Sequence, residues 1–336
     1  MKRNMKQWVQ DIIDSPVKKA VPVLSFPAVQ LMGITVKDFI SDSELQAEGM
    51  KKVAERTDAG ASVSLMDLSL EAECFGSTIR FSDEEVPTVI GSVINTEEEA
   101  KALVVPPIGT GRTGIYIKAM EKAVKEITDR PILAGAIGPY SLAGRLMDVS
   151  EAMVYCYEEP DMVHIVLEKV TEFIINYCKE YKKLGANGIV LAEPLAGLLS
   201  PALAEEFSAA YVKKIVDAVQ DDEFIIVYHN CGNSTIPQID SILSTGCIFL
   251  HFGNAINMAD MMPHIPANII AAGNVEPAGE FRNGTVESVK AATKKVLDEC
   301  SKYPNFLISS GCDIPPMSSW DNIDAFFEAV DEFYKK

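Results

Sequence analysis

The chain is short of positive charge. It has 30 Lys and Arg residues against 48 Asp and Glu, a formal net charge of −18. The resulting sequence pI near 4.7 argues against a nucleic acid or an anionic membrane surface as partner. Long apolar runs are also absent. No stretch approaches the ~18 residues needed to span a bilayer. The basic start, residues 1–22, lacks the continuous apolar segment of a signal peptide. A disulfide framework is lacking as well, because the seven cysteines are odd in number and irregularly spaced. Reduced thiols in a cytoplasm are therefore expected. The glycosylation-like triplets at Asn233 and Asn283 are then coincidences. No internal repeat, low-complexity tract or linker divides the chain.

What remains is 336 residues, 48% hydrophobic and 23% charged, enough for one large core. Short apolar runs alternate with longer amphipathic ones. The strand-like runs are Val21–Phe26, Ser62–Leu68, Ile132–Ile137, Gly188–Ala192, Phe224–Tyr228, Ile248–His251, Asn268–Ala272 and Phe306–Ser309. Several show no polar alternation, as expected of parallel strands buried on both faces. Helical patterns separate them, clearest over Asp161–Leu184, Ala202–Val219, Val286–Tyr303 and Asp321–Tyr334. Ser200 before Pro201 supplies an N-cap and a first-turn proline. Eight strands with intervening helices predict an α/β fold, a (β/α)8 TIM barrel spanning 1–336 as a single domain. The β-like stretches at Ser77–Phe81 and Thr88–Ile94 lie within 71–95 and read as an excursion on the barrel rim.

On such a barrel, chemistry gathers at the C-terminal ends of the strands. His229 and Cys231 end the fifth expected strand, and strand side chains two apart share a face. Cys312 follows the eighth. One imidazole and two thiolates form a soft donor set suited to Zn2+ with a fourth position open. The alternative is a core histidine beside two buried free thiols. Strands five and eight are not neighbours, so the backbone around Gly232 and Gly311 must bend inward. His251 ends the sixth strand, as a fourth ligand or as a hydrogen-bonded wall residue. Glu193 ends the fourth. It could orient the His229 ring, bind a substrate amine or proton, or simply be a rim carboxylate. One of Asp67, Glu71 and Glu73 could face the mouth. Gly109-Thr110-Gly111-Arg112-Thr113-Gly114 matches a dinucleotide-binding pattern, but Pro106-Pro107 stands where that fold needs a strand. It reads as a turn before a helix from Ile115, with Arg112 able to cap a site.

Several pieces together resemble the uroporphyrinogen decarboxylase superfamily, especially its corrinoid-dependent methyltransferase branch. They are Glu71-Ala72-Glu73-Cys74-Phe75-Gly76, Gly138-Pro139-Tyr140-Ser141-Leu142-Ala143, His229-Asn230-Cys231-Gly232, Gly273-Asn274-Val275-Glu276-Pro277 and Ser310-Gly311-Cys312-Asp313. The similarity runs over nearly the whole length. It implies a TIM barrel, zinc held by His229, Cys231 and Cys312, and methyl transfer between a corrinoid on a partner protein and a small thiol or similar acceptor. The methyl donor and acceptor stay open, with coenzyme M, tetrahydrofolate and homocysteine as candidates, and so do reverse transfer and self-association. Metal coordination would ionise a thiol of pKa ~8.5, worth roughly 30-fold or about 2 kcal/mol. Alignment of the reacting groups must supply the larger share, about 7–11 kcal/mol. Decarboxylases of the superfamily grip their substrate with an N-terminal arginine motif, whereas Pro22-Val23-Leu24-Ser25-Phe26-Pro27 has no arginine and few cations are expected near the strand ends. The rivals are a decarboxylase, a folate-dependent homocysteine methyltransferase, and a non-catalytic corrinoid-protein partner.

Overall fold

In a computed structural model describing residues 2–335, seven parallel strands form one curled sheet. In chain order β1 is Ser62–Val63, β4 Ile132–Ile137, β5 Gly188–Ala192, β6 Ile225–Asn230, β7 Phe249–Phe252, β8 Ile270–Val275 and β9 Phe306–Ser310. Their spatial order is β1-β4-β5-β6-β7-β8-β9. Between β1 and β4, β2 (Thr78–Arg80) and β3 (Thr88–Ile90) pair as an antiparallel hairpin.

The expected first strand, Val21–Phe26, is not a regular strand. Pro22 has no N–H to donate, so a continuous ladder cannot form there. The segment still bridges both edges of the sheet. Val21 N–H donates to Ile308 on the β9 side, and Gly60 N–H donates to Ala20 just ahead of β1. The barrel is therefore closed by an irregular seam. The expected second strand, Ser62–Leu68, is regular only over Ser62–Val63, β8 ends at Val275 rather than Ala272, and the helix after the glycine turn begins at Thr113 rather than Ile115.

Side-chain alternation makes two apolar layers. Val63, Leu133, Val190, Ile225, Val227, Phe249, Ile270 and Leu307 fill the barrel interior. The N-terminal helix, Met5–Asp14, plugs its lower end with Met5 and Val9, while Trp8 stacks on Phe249. The opposite strand faces pack against the surrounding helices. Period-2 counting then carries the inward direction up the strands: from Ile225 and Val227 to His229, from Phe249 to His251, and from Leu307 to Ser309. Three polar side chains thus top an apolar column. Among the described residues, no helix is long and apolar enough to cross a membrane.

Candidate metal centre

His229, Cys231 and Cys312 converge at the C-terminal mouth of the barrel. Their donor atoms all lie within 4.8 Å of one another. Cys312 Sγ is 3.4 Å from His229 Nε2. A tetrahedral zinc with Zn–S ~2.3 Å and Zn–N ~2.0 Å sets ligand atoms roughly 3.5–3.8 Å apart. The donor set therefore fits that ion, with about 1 Å of movement needed at the widest pair. All seven cysteines are free thiols. A hydrogen bond from Cys312 holds the Cys231 thiol well below its ordinary range, with His229 adding to the effect. Cys312 correspondingly keeps its proton.

The non-adjacent strands meet because glycine removes a wall between them. A Cβ on Gly253, just past β7, would sit 2.4 Å from the Cys231 Cβ and 3.1 Å from the Gly311 carbonyl oxygen. The Cys231 loop and the Gly311 loop thus both press on a residue that has no side chain. Gly232 and Gly311 are crowded too, against Gly197 and Asn254. Asn274 fixes the same loop by donating to the carbonyls of Gly253 and Ile256, at 3.0 and 2.9 Å. Sequence reasoning marked Gly232 and Gly311 but missed Gly253, whose role depends on three loops meeting in space.

His251 lies outside the donor cluster. It is 2% exposed, and both its ring nitrogens are engaged. Its Nδ1 faces His229 Nδ1 at 2.7 Å, and its Nε2 faces Ser309 Oγ at 2.7 Å. Of the two expectations for it, this geometry matches the hydrogen-bonded wall residue. If His229 Nε2 is to offer a lone pair, its Nδ1 must carry the proton and donate to His251. His251 then donates from Nε2 to Ser309, whose hydroxyl donates to the Val21 carbonyl at 2.8 Å. Each proton in this relay has one acceptor. Burial and the neighbouring imidazole hold His251 neutral, as the relay requires. β8 lies between His251 and Ser309 and presents only the Ala272 methyl at His251's level.

Glu193 is fully buried, and its carboxyl oxygens are engaged by residues other than His229. Oε1 accepts from the Ser141 N–H at 3.3 Å, and Oε2 accepts from the Ser208 hydroxyl at 3.0 Å. It thus accepts one of the free backbone N–H groups in the first turn of the helix Pro139–Met147. Burial pushes its carboxyl up to about 8. A Cβ on Gly138 would strike it at 2.0 Å, so glycine is required there. Neither the expected rim exposure nor contact with the His229 ring is found.

Asp67 and Glu73 are bound by Arg112, with Ser69 and Tyr116 completing the network. That arginine ties the glycine turn to the segment after β1. Glu71 is buried, accepts from the Ile137 N–H and leaves Oε2 without a partner; burial raises its carboxyl to about 8.

A cavity of about 380 Å3 opens beside the cluster. Cys312, Asp313, Met66, Val86 and the arginines Arg145 and Arg282 line it. Few cations were expected near the strand ends, so these two correct that reading. Arg145 was hidden in the sequence because a basic residue in a helix's last turn usually serves the helix dipole. A larger cleft of about 520 Å3 lies elsewhere, between residues 17–20, residues 56–58 and the last helix, lined by charged side chains with Thr57, Tyr334 and apolar walls.

The family described as uroporphyrinogen decarboxylase (URO-D) matches residues 15–333. A methylcobamide:CoM methyltransferase, MtbA, from Methanosarcina mazei is 30% identical over 310 residues, covering 88% of this chain and 87% of that protein. A uroporphyrinogen decarboxylase from Alcanivorax borkumensis is 24% identical over 311 residues, covering 89% and 86%. Among solved structures, a methyltransferase from Methanosarcina mazei superposes with a TM-score of 0.86 at 24% identity, over 99% of both chains.

Proposed function

The chain belongs to the uroporphyrinogen decarboxylase family, and from that premise we propose that it is a zinc-dependent methyltransferase that passes a methyl group from a corrinoid, carried by a partner protein, to a small thiol. The observation that carries the reading is the convergence of His229, Cys231 and Cys312, three donors whose atoms lie within 4.8 Å at the barrel mouth. The similarity to the MtbA protein, whose name states a methylcobamide donor and CoM as acceptor, supports the corrinoid and the thiol.

His229, Cys231 and Cys312 would hold the ion. When bound, it would supply the Lewis acidity that keeps an incoming thiol ionised. His251 and Ser309 keep the Nε2 lone pair of His229 turned to the site. The cavity beside Cys312 is large enough for a small thiol, at the lower end of the ~300–1,000 Å3 typical of such sites. The corrinoid macrocycle would approach from outside it. With a methylated corrinoid as donor substrate, transfer would form a carbon–sulfur bond at the expense of the cobalt–carbon bond, the electron pair staying with the corrinoid and the thiol proton passing to solvent. Glu193 acts one step back, by seating the helix that carries Arg145 into the cavity.

Decarboxylation is the weaker reading. It calls for cations gripping several carboxylates, and the segment from Pro22 to Pro27 has none. The test is elemental analysis of the purified protein, followed by demethylation of free methylcobalamin against a panel of thiols. Cys231→Ala is expected to lose both metal and transfer while the barrel stays folded, because its core is built from apolar layers. Full zinc occupancy or undiminished transfer in that variant refutes the assignment.

A further inference from the structure

The seven cysteines fall into two groups. Five lie away from the donor cluster. Cys178, Cys247 and Cys300 are at most 1% exposed. Cys156 donates to the Ala152 carbonyl at 3.2 Å, and Cys74 to the Thr110 carbonyl at 3.0 Å. Burial pushes the thiols of Cys74 and Cys300 up to about 11 and that of Cys247 up to about 12. Such thiols are unreactive, because the thiolate is the nucleophile. Cys231 and Cys312 are placed differently. Both are half-buried, their sulfurs lie within 4.8 Å of each other, and Cys312 lines the cavity of about 380 Å3. A small solute entering the mouth therefore meets two thiols side by side.

The fold itself holds them there. The Cys231 backbone packs on Gly253, with the Gly311 carbonyl oxygen close on the same glycine. Gly311 in turn rests on Asn254, and Gly232 on Gly197. Asn274 fastens the intervening loop through the carbonyls of Gly253 and Ile256. The two sulfur-bearing loops thus abut through backbone, and no side-chain rotation parts them. With or without an ion, the sulfurs stay neighbours. Rotation about the two Cα–Cβ bonds is the movement that brings them to the ~2.05 Å of a disulfide. Reactants held in this way react as if at very high concentration.

We propose that Cys231 and Cys312 are a reversible redox pair: hydrogen peroxide joins them in a disulfide, which expels the ion and shuts the site. One sulfur attacks peroxide, the O–O bond breaks, and a sulfenic acid and a water form. The second sulfur attacks the first, the S–O bond breaks, and a second water leaves. Two thiols give up two electrons and two protons, and one peroxide becomes two waters. Neither sulfur is then a thiolate, so of the three donors only His229 remains. The second thiol also intercepts the sulfenic acid before further oxidation makes it irreversible. The disulfide rests only on the placement of the two sulfurs; the release of the ion rests on the zinc reading above.

The experiment treats the zinc-loaded protein and the chelator-stripped protein with hydrogen peroxide. Free thiols are counted after unfolding, linked peptides are mapped by mass spectrometry, and released zinc is read with a chromophoric chelator. The stripped protein is expected to lose two of its seven thiols, with one linkage, Cys231 to Cys312, and dithiothreitol should return both. This pair should be consumed at least about tenfold faster than the other cysteines. The loaded protein should release one zinc per disulfide. Cys231→Ser and Cys312→Ser should each form no linkage and leave a sulfenic acid that dimedone traps. An undiminished thiol count, a linkage to another cysteine, or oxidation of either sulfur beyond recovery by dithiothreitol overturns the proposal. So does a pair that closes no faster in the native protein than in urea, since the fold would then not be holding the sulfurs together. A disulfide forming in a protein that never takes up zinc keeps the redox pair and removes the zinc reading. A loaded protein that retains its thiols and zinc while the stripped protein closes overturns the release.

Discussion

Replacing His251 by leucine tests how the metal site is built. His251 has both nitrogens committed, to His229 at 2.7 Å and to Ser309 at 2.7 Å, and is 2% exposed. Leucine fills similar space but accepts nothing. The Nδ1–H of His229 is then buried without a partner, at a cost of about 1–3 kcal/mol. Freed of that cost, His229 can shift its proton to Nε2, which removes the lone pair that a metal needs. Loss of such an orienting partner typically weakens metal binding by about 10–100-fold, or about 1.4–2.7 kcal/mol. Glutamine is the informative control. Its carbonyl oxygen can accept from His229 while its amide donates to Ser309, so the relay keeps its direction. Zinc affinity, measured by competition with a chromophoric chelator, is expected to fall at least tenfold in His251→Leu and to recover largely in His251→Gln. A His251→Leu protein binding zinc within about threefold of wild type would refute the relay. So would a glutamine variant as weak as the leucine one, since the direction of hydrogen bonding would then not matter.

Gly253→Ala should displace Cys231, because the new Cβ would lie 2.5 Å from the Cys231 Cα with the Gly311 carbonyl oxygen closing the other side. Backbone cannot yield as a flexible side chain can, so metal content after dialysis should drop sharply, with about 1–3 kcal/mol of stability lost to overpacking on urea unfolding. Glu71 makes a prediction about pH. Its folded-state value is raised to about 8 from 4.5, so the folded protein holds a proton that the unfolded chain has released. Its contribution is fully present below about 4.5 and is lost as pH rises through 8, at a slope of about 1.4 kcal/mol per unit. Glu71→Gln keeps an acceptor for the Ile137 N–H and should flatten the fall in stability between pH 5 and 8, by roughly that slope. An unchanged pH profile in urea melts would mean that Glu71 is ionised in the fold.

The barrel was legible because its strands are short, apolar on both faces and separated by long amphipathic runs. Buried parallel strands write that pattern directly. His229 and Cys231 were legible for a related reason, since two residues apart along an extended chain share a face, although β6 itself stops at Asn230 and Cys231 lies just beyond it. Cys312 could be joined to them only by assuming the barrel, which brings strand ends together whatever their distance in the chain. The seam was less readable. Val21–Phe26 has the composition of a strand, and only Pro22 breaks the ladder while leaving its flanks hydrogen-bonded to both edges. Glu193 and His251 were found by position at strand ends, but position does not fix direction. One turns to a helix N-terminus, and the other turns to two partners that lie 22 and 58 residues away. Gly253 and Arg145 carry no local signature. A glycine pressed by two loops and an arginine on a cavity wall are properties of the assembled mouth, not of any short stretch.

The relay from His229 ends on a backbone carbonyl of the irregular closing segment, at Val21. Two distant events are thereby joined. Docking the early chain into the gap beside the last strand presents the carbonyl that fixes Ser309, and through His251 fixes which nitrogen of His229 is bare. Whatever free energy an ion gains from that bare nitrogen must be returned as tighter docking of the chain's own beginning, since such linkage runs equally in both directions. If His229, Cys231 and Cys312 hold an ion, the closing segment and the ion would thus be coupled through one chain of hydrogen bonds.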